Sequence, residues 1–377
     1  MKAIVPLMIV SGVVLILYMK FVMEDANIVT YFRINDQLDY SKPSLTASQT
    51  MLDVFHNKIV KATAYRDTKL LFFETLNTVD DIIKLVRTPI SMTHINGIAG
   101  TDFLVSKANL CFILRRHFPE SVYNRIIPKT FVLTLPKDVQ SLLYDLESGN
   151  HVYIAKKNVQ RQQGVVLTRD TREIIEIINS IKENESKSDD YVVVQHVLQN
   201  PLLVNRRKIN LRVYMLVIVE NEQCKFYMGQ DGFIYYTPDF FEQYSIDHKR
   251  IITTGYIDRQ VYEENPLTHK DLQKHMGDGD YSIMMDNVEE VLRRIKSAFT
   301  PIFLEHNRFI PGCKFLIYGC DIAPASDLTA TVMEINKGPD MSYKDERDKA
   351  VKLELVREAF GIVNFMDVSD SGLWKRV

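Results

Sequence analysis

Three oxygen-bearing side chains near the carboxyl end of the chain have the types and the spacing of a cation site. Asp321 lies in one β-type run, Glu334 and Asn336 lie in the next, and turn residues 325–327 separate the two runs. A hairpin would bring the three side chains together, and strand alternation would place Glu334 and Asn336 on one face. Carboxylate and amide oxygens are the ligands that a hard cation such as Mg²⁺ requires. The sequence therefore predicts a magnesium site, and the alternative is a polar, solvent-facing edge strand.

Lys156 is a candidate for binding phosphate. It follows the apolar run 152–155 and precedes a polar loop, residues 157–163, which ends at Gly164. A lysine at the end of a strand can reach phosphate oxygens while such a loop folds over them. Taken alone, Lys156 and the adjacent Lys157 are explained better as a pair of lysines exposed to solvent.

A basic stretch, Arg206-Arg207-Lys208, leads to Asn210 and Arg212. Its positive charge suits an acidic partner. For the two arginines at its start, a solvated strand entry is an equally good interpretation.

The composition excludes some classes of protein. The chain has 377 residues, of which 46% are hydrophobic and 25% charged, so it can bury a sizeable core in two or three structural units. A net charge of −2 argues against nucleic-acid binding. Four cysteines without a CxxC pair argue against a disulfide framework and a zinc site. A reduced, cytosolic catalytic region is expected.

The elements that must position these residues are of both types. Strands are expected at residues 70–73, 152–155, 165–168, 191–197, 211–219, 315–322 and 330–336, and one leads from Pro128. Helices are expected at residues 79–86, 107–116, 171–184 and 288–303. The predicted class is α+β, with mixed, largely antiparallel sheets and covering helices.

The first residues predict a membrane anchor. Residues 3–19 are uncharged and mainly apolar, and the apolar run resumes at 21–23. At about 1.5 Å per residue, this segment just spans a bilayer core. No small residues mark a cleavage site, so an uncleaved transmembrane helix is expected instead of a signal peptide. A buried helix of the soluble part is disfavoured because no polar face is present.

In their order along the chain, these motifs resemble those of the tubulin-tyrosine ligase family, a branch of the ATP-grasp enzymes, over about residues 85–340. The matching motifs are Ile95-Asn96-Gly97, Pro128-Lys129-Thr130-Phe131, Ile154-Ala155-Lys156, Pro201-Leu202-Leu203, Lys208-Ile209-Asn210-Leu211-Arg212, Tyr318-Gly319-Cys320-Asp321 and Met333-Glu334-Ile335-Asn336. The resemblance implies an ATP-grasp fold. Its units would be an anchor at 1–23, an N-terminal α/β domain at 24–105, a central ATP-grasp domain at 106–200 and a C-terminal one at 201–377.

The resemblance also implies roles for individual residues. ATP would be bound by Lys107, Lys156, Gln195, His196, Val197 and Leu198. Mg²⁺ would be held by Asp321, Glu334 and Asn336, and Lys208 and Arg212 would orient a carboxylate substrate.

The implied reaction joins an amino acid to a protein tail through an acyl phosphate. The expected partners are an amino-acid donor and an acidic tail such as the tubulin C-terminus. The single predicted anchor makes this a single-pass membrane protein. Because ATP is needed, we expect the catalytic part to face the cytosol.

Several positions depart from the family pattern. His196 replaces a lysine, Asn210 replaces an aspartate, and Tyr235 replaces the arginine that should bind the donor amino acid. The segment Thr253-Thr254-Gly255 stands where the family has a Thr-Asn pair. The loop at 157–165 is one residue short and keeps one of two glycines. An arginine-to-tyrosine change removes a charged partner for a carboxylate. Two alternatives stay open: a membrane-attached pseudoenzyme that binds nucleotide or tails, and a ligase with another substrate.

Overall fold

The computed structural model describes most of the chain from residue 94 onward, and short pieces before it. The described residues are 29–32, 50, 53–54, 59–61, 70–72, 94–149, 151–157, 164–183, 191–365, 368 and 371–377. The predicted anchor and the helix expected at 79–86 lie outside these residues. Within the described part, no helix combines the length and the apolar character needed to cross a membrane.

Fourteen strands and ten helices are defined in the described residues. The strands are β1 (Val29–Phe32), β2 (Ile59–Lys61), β3 (Leu70–Phe72), β4 (His94–Asn96), β5 (Thr130–Val132), β6 (Tyr153–Lys157), β7 (Val165–Thr168), β8 (Tyr191–His196), β9 (Leu203–Val204), β10 (Arg207–Glu220), β11 (Gln223–Tyr236), β12 (Cys313–Pro324), β13 (Ala330–Lys337) and β14 (Trp374–Arg376). The helices are α1 (Thr101–Val105), α2 (Lys107–His117), α3 (Glu120–Tyr123), α4 (Pro136–Glu147), α5 (Thr171–Glu183), α6 (His248–Ile251), α7 (Val261–Glu264), α8 (His269–Met276), α9 (Asp278–Asn307) and α10 (Glu346–Ile362).

The strands form two sheets. The larger has the order β14-β11-β10-β12-β4-β3-β1-β2, with β13 also paired to β12 and β9 to β10. The smaller has the order β5-β8-β6-β7 and is antiparallel throughout. The pairs that join β1, β2, β3, β4 and β12 are parallel, and the other pairs of the larger sheet are antiparallel. The predicted α+β class with largely antiparallel sheets is confirmed.

Two strands pair with different parts of the same edge of β12. Its residues 313–315 pair in parallel with β4, and its residues 318–324 pair in antiparallel with β13. Its other edge pairs with β10 along residues 314–322. Strand β12, the first strand of the hairpin that carries the predicted metal ligands, is therefore paired along both of its edges.

The main core surrounds the centre of the larger sheet. Helix α9 packs on one face, where Phe303 stacks on Phe226 with ring centroids 6.1 Å apart. Helix α10 covers the other face, where Leu355 lies against Gly229. Because both faces are covered, β10 is an apolar run with little alternation. A second core, which includes Leu142 and Ile174, joins α4 and α5 to the smaller sheet.

Candidate active site

A cavity of about 730 Å³ lies between the two sheets and contains most of the predicted site residues. The predicted residues that line it are Lys107, Lys156, Val197, Leu198, Lys208, Arg212, Asp321, Glu334 and Asn336. Gln195 and His196 are not among its lining residues. Residues from four separate predicted motifs therefore face one space.

The β12–β13 hairpin brings the predicted metal ligands together. Asp321 lies directly opposite Glu334, and Asn336 donates its side-chain N–H to Glu334 Oε1 at 3.1 Å. The Asn336 amide oxygen and both carboxylates remain as oxygen ligands for a cation.

The charges of the two carboxyl groups agree with a cation site. Burial raises the pKa of Asp321 to about 7, Arg212 opposes this shift, and the facing Glu334 adds to it. Burial also acts to raise the pKa of Glu334, but Lys107 and Lys156 outweigh it, and the pKa of Glu334 is lowered. A divalent cation would relieve the repulsion between the carboxylates. These residues therefore fit Mg²⁺.

Two buried lysines line the cavity, and one of them, Lys156, interacts electrostatically with both carboxylates. Desolvation lowers the pKa of Lys156 and of Lys208 to about 8, and the charge of Lys156 contributes to the shift of Lys208. Lys208 donates to the carbonyl oxygen of Ile251 at 3.0 Å. A third lysine, Lys107, lies 4.0 Å from Glu334 Oε2. A negatively charged ligand would stabilise the charged form of these lysines.

The structure pairs Arg212 with a carboxylate of the protein. Its Nε and Nη2 donate to the two oxygens of Asp321, at 2.7 and 3.2 Å. Its guanidinium also lies 4.9 Å from the ring centroid of Tyr235. Arg212 thus borders the metal-ligand pair, and its predicted contact with a carboxylate substrate stays a prediction.

The other end of the cavity is apolar. Ile154 and Val165 come from the smaller sheet, Val197 and Leu198 follow β8, and Ile251 ends α6. This aliphatic part of the lining, the apolar slot, can accept a flat ring. The lysines and the carboxylates line the same cavity, so a ring with attached phosphates would satisfy both parts.

Alternation along β8 explains where Gln195 and His196 point. Gln195 Nε2 donates to Thr130 Oγ1 at 2.8 Å, and its buried Oε1 has no hydrogen-bond partner in the described residues. His196 points to the opposite side, where Nε2 donates to Asp145 Oδ2 at 2.6 Å. Any contact of residue 196 with a ligand in the cavity would have to come from its backbone.

The comparison with protein families gives a direct match. A model of the tubulin-tyrosine ligase family matches residues 104–370. The chain belongs to this family.

Curated relatives in the tubulin-tyrosine ligase family include tubulin polyglutamylases. One from Caenorhabditis briggsae is 25% identical over 289 residues, which cover 71% of this chain and 45% of the relative. One from Caenorhabditis elegans is 25% identical over 255 residues, covering 63% of this chain and 40% of the relative. A human tubulin polyglutamylase is 23% identical over 263 residues, which cover 64% of this chain and 19% of the relative. The chain spans less than half the length of these relatives.

Two departures from the tubulin-tyrosine ligase pattern are coupled in space. Tyr235, at the end of β11, and Gly255 both line the cavity. A Cβ on Gly255 would lie 2.9 Å from the Tyr235 ring, closer than real Cβ atoms come to other atoms. The glycine thus makes room for the tyrosine, which occupies the position where the family pattern has arginine.

Several lining residues were not predicted. Beyond Tyr235 the cavity is lined by charged side chains, namely Arg259, Lys337, Asp340, Lys344, Asp348 and Lys352. Lys352 Nζ lies 3.1 Å from Asp348 Oδ2, one helical turn away in α10. The available signal was this pair of opposite charges four residues apart, which is also common on solvated helices.

The loop that is predicted to fold over phosphate, from residue 157 to the closing Gly164, is described only at its two ends. Gly164 has φ 68°, and a Cβ there would lie 2.6 Å from the Lys157 side chain. Glycine is therefore required where the loop rejoins the smaller sheet. The predicted shortening of the loop at 157–165 by one residue stays a prediction, because residues 158–163 lie outside the described part of the chain.

Proposed function

We propose that this chain is an ATP- and Mg²⁺-dependent ligase that joins an amino acid to an acidic protein tail. The observation that carries the proposal is one cavity with an apolar slot, three lysines and a carboxylate–amide triad. Membership of the tubulin-tyrosine ligase family and the tubulin polyglutamylases among the relatives support the tubulin C-terminus as the acceptor. The fold proposed for this site is ATP-grasp.

The arrangement suits transfer of a phosphoryl group. The adenine would occupy the apolar slot beside Val197 and Leu198, and Lys107 and Lys156 would contact the phosphates. Mg²⁺, held by Asp321, Glu334 and Asn336, would neutralise charge on the phosphate oxygens. Positive groups fixed in a partly desolvated cavity stabilise the charge that develops during such a transfer.

The proposed reaction proceeds in two steps. A carboxylate oxygen of one substrate attacks the γ-phosphorus of ATP, the bond to ADP breaks, and an acyl phosphate forms. The amine of the other substrate then attacks the acyl carbon, phosphate leaves, and the nitrogen loses a proton as the amide forms. Lys208 and Arg212 would orient the carboxylate.

Residues of the basic stretch that lie outside the cavity contribute differently. Arg207 donates to the carbonyl of Thr237 at 3.0 Å and lies over the Phe240 ring, as does the exposed Arg206. Arg207 therefore supports a loop of its own chain, and Arg206 is the one of the two that an acidic tail could reach more easily.

One observation favours a second candidate function, a pseudoenzyme that binds nucleotide or tails. The guanidinium of Arg212 is engaged by Asp321 and by the Tyr235 ring, and Tyr235 itself has no charge to offer a carboxylate. Such a protein would retain the nucleotide site and lack turnover.

We further propose a single-pass membrane protein whose anchor lies at residues 3–23 and whose catalytic part faces the cytosol. The uncharged apolar run supports this proposal. The requirement for ATP supports the cytosolic side.

The deciding experiment measures ADP release by the full chain in mild detergent. The reaction contains Mg²⁺, ATP, acidic tail peptides and single free amino acids. Release that depends on one amino acid and one tail would establish the ligase. Nucleotide binding without turnover on every mixture would favour the pseudoenzyme. Absence of nucleotide binding would reject the ligase and leave only a pseudoenzyme that binds tails.

A matched pair of variants tests the metal site. Glu334→Gln removes one carboxylate charge at constant size and should abolish Mg²⁺-dependent ADP release. Asp327→Asn changes an exposed carboxylate in the turn of the same hairpin and should leave ADP release near wild type. Full activity of Glu334→Gln would show that the metal assignment is wrong.

A further inference from the structure

A second group of potential metal ligands lies on the outer side of the smaller sheet. It consists of Asp145 near the end of α4, His151 before β6, and His196 at the end of β8. One ligand atom from each of the three lies within 4.8 Å of the others. The two imidazole rings are stacked, with centroids 4.1 Å apart.

The carboxylate of this group is charged and surrounded by polar contacts. Tyr153 donates to Asp145 Oδ2 at 2.9 Å, His196 Nε2 donates to the same oxygen, and Lys129 contacts Oδ1. Burial alone would raise the pKa of Asp145, but the contacts with Lys129, His196 and Tyr153 lower it to about 2. A buried carboxylate beside two imidazoles is a donor set typical of Zn²⁺ and related cations.

We propose that Asp145, His151 and His196 bind a divalent cation of the Zn²⁺ class at a site separate from the Mg²⁺ triad. Each histidine would supply one ring nitrogen and Asp145 one oxygen, which leaves a fourth position for water. Ligands of a tetrahedral Zn²⁺ lie about 3.3 Å apart, given bond lengths of about 2.0–2.1 Å. The three atoms lie within 4.8 Å of one another, so they reach coordination distance through side-chain rotations that unstack the two rings. His196 would turn its lone pair, instead of its N–H, toward the cation.

Lys129 is the competing cation at this site. Its ammonium holds Asp145 Oδ1, and 44% of its side chain is exposed, so it can move into solvent when a metal binds. Removal of this charge should strengthen metal binding, because the carboxylate would then be shared with no other cation.

The location gives the cation a role at the nucleotide site. His196 directly precedes Val197 and Leu198, which line the apolar slot, while Asp145 belongs to α4. A bound cation would join this helix to the segment that contacts the base. This coupling rests on the proposed function, whereas the metal site itself does not.

The absence of a CxxC pair argues only against a zinc site that is built from cysteines. The three ligands are separated by 5 and 44 intervening residues and follow no metal-binding motif. Only the pairing of β6 with β8 places His196 beside the residues that precede β6.

The test is a titration of the EDTA-treated full chain with Zn²⁺ alone, against a chromophoric chelator and without nucleotide. We expect one equivalent to bind, His151→Ala to weaken binding at least tenfold, and Lys129→Gln to strengthen it severalfold. His275→Ala, an exposed histidine in α8, is the matched control and should bind as wild type. Excess Mg²⁺ should not compete, because the site is rich in nitrogen.

Two results would overturn the site. They are the absence of saturable Zn²⁺ binding in the wild type, and unchanged binding in both His151→Ala and His196→Ala, each checked for folding by circular dichroism. ATP affinity with and without Zn²⁺ tests the coupling separately. Equal affinities would reject the coupling, and a difference lost in His151→Ala would support it.

Discussion

Nucleotide affinity should fall steeply as the pH rises from 7 to 9. The cause is the loss of charge from the buried Lys156, a proposed phosphate ligand whose pKa burial lowers to about 8. At pH 7 about nine-tenths of this side chain carries its proton, and at pH 9 about one-tenth. If bound phosphate keeps the lysine protonated, affinity decreases about tenfold over this range. The affinity is fully present below pH 7 and is lost above pH 8.

The assay is binding of a non-hydrolysable ATP analogue in EDTA, which excludes any contribution from Mg²⁺. Lys156→Arg retains its charge through pH 9, so the affinity of that variant should stay nearly constant from pH 7 to 9. Lys249→Arg, at an exposed position of α6, should keep the full pH dependence. Suppose instead that wild-type affinity is flat from pH 7 to 9 while Lys156→Ala no longer binds. Lys156 would then contact phosphate with an ordinary pKa, and the reasoning from burial would be refuted.

Three further predictions concern stability and location. His269 is fully buried, neither ring nitrogen has a partner in the described residues, and desolvation lowers its pKa to about 4 despite Asp231. Protonation below pH 6.5 therefore favours the unfolded chain. Between pH 7.5 and pH 5, the unfolding free energy of the wild type should fall by about 2 kcal/mol more than that of His269→Leu, as measured by urea titration. Equal losses in the two proteins would contradict this. Gly255→Ala should cost about 1–3 kcal/mol through contact with the Tyr235 ring, and Tyr235→Leu in the same chain should recover most of it, as measured by thermal melting. Deletion of residues 1–23 should release the chain from carbonate-washed membranes, and retention there would argue against the anchor.

Regular local patterns made much of the fold predictable. The metal-ligand hairpin followed from two β-type runs with a short turn, because strand alternation fixes which side chains share a face. The strand predicted at residues 165–168 is β7, and the helix predicted at 171–184 is described as α5 from Thr171 to Glu183. The helix expected at 288–303 belongs to the longer α9, whose first turns lack a continuous apolar stripe.

Long-range geometry was not predictable from the sequence. A motif placed His196 in the nucleotide site, but the side-chain direction depends on which face of β8 meets the cavity. The contact between Tyr235 and Gly255 joins positions twenty residues apart, and each alone was only a substitution. The ion pair of Arg212 with Asp321 depends on the β10–β12 register, which sets these residues opposite each other.

The shared edge of β12 limits how far the chain can be shortened. The family match begins at residue 104, so a chain trimmed to that boundary would lack β4, the parallel partner of residues 313–315. Those residues would then expose unpaired backbone N–H and C=O groups beside the start of the hairpin that carries the predicted metal ligands. Open strand edges of this kind recruit other chains. Expression of the matched region alone would therefore favour aggregation, and loss of activity in such a fragment would be no evidence against the ligase.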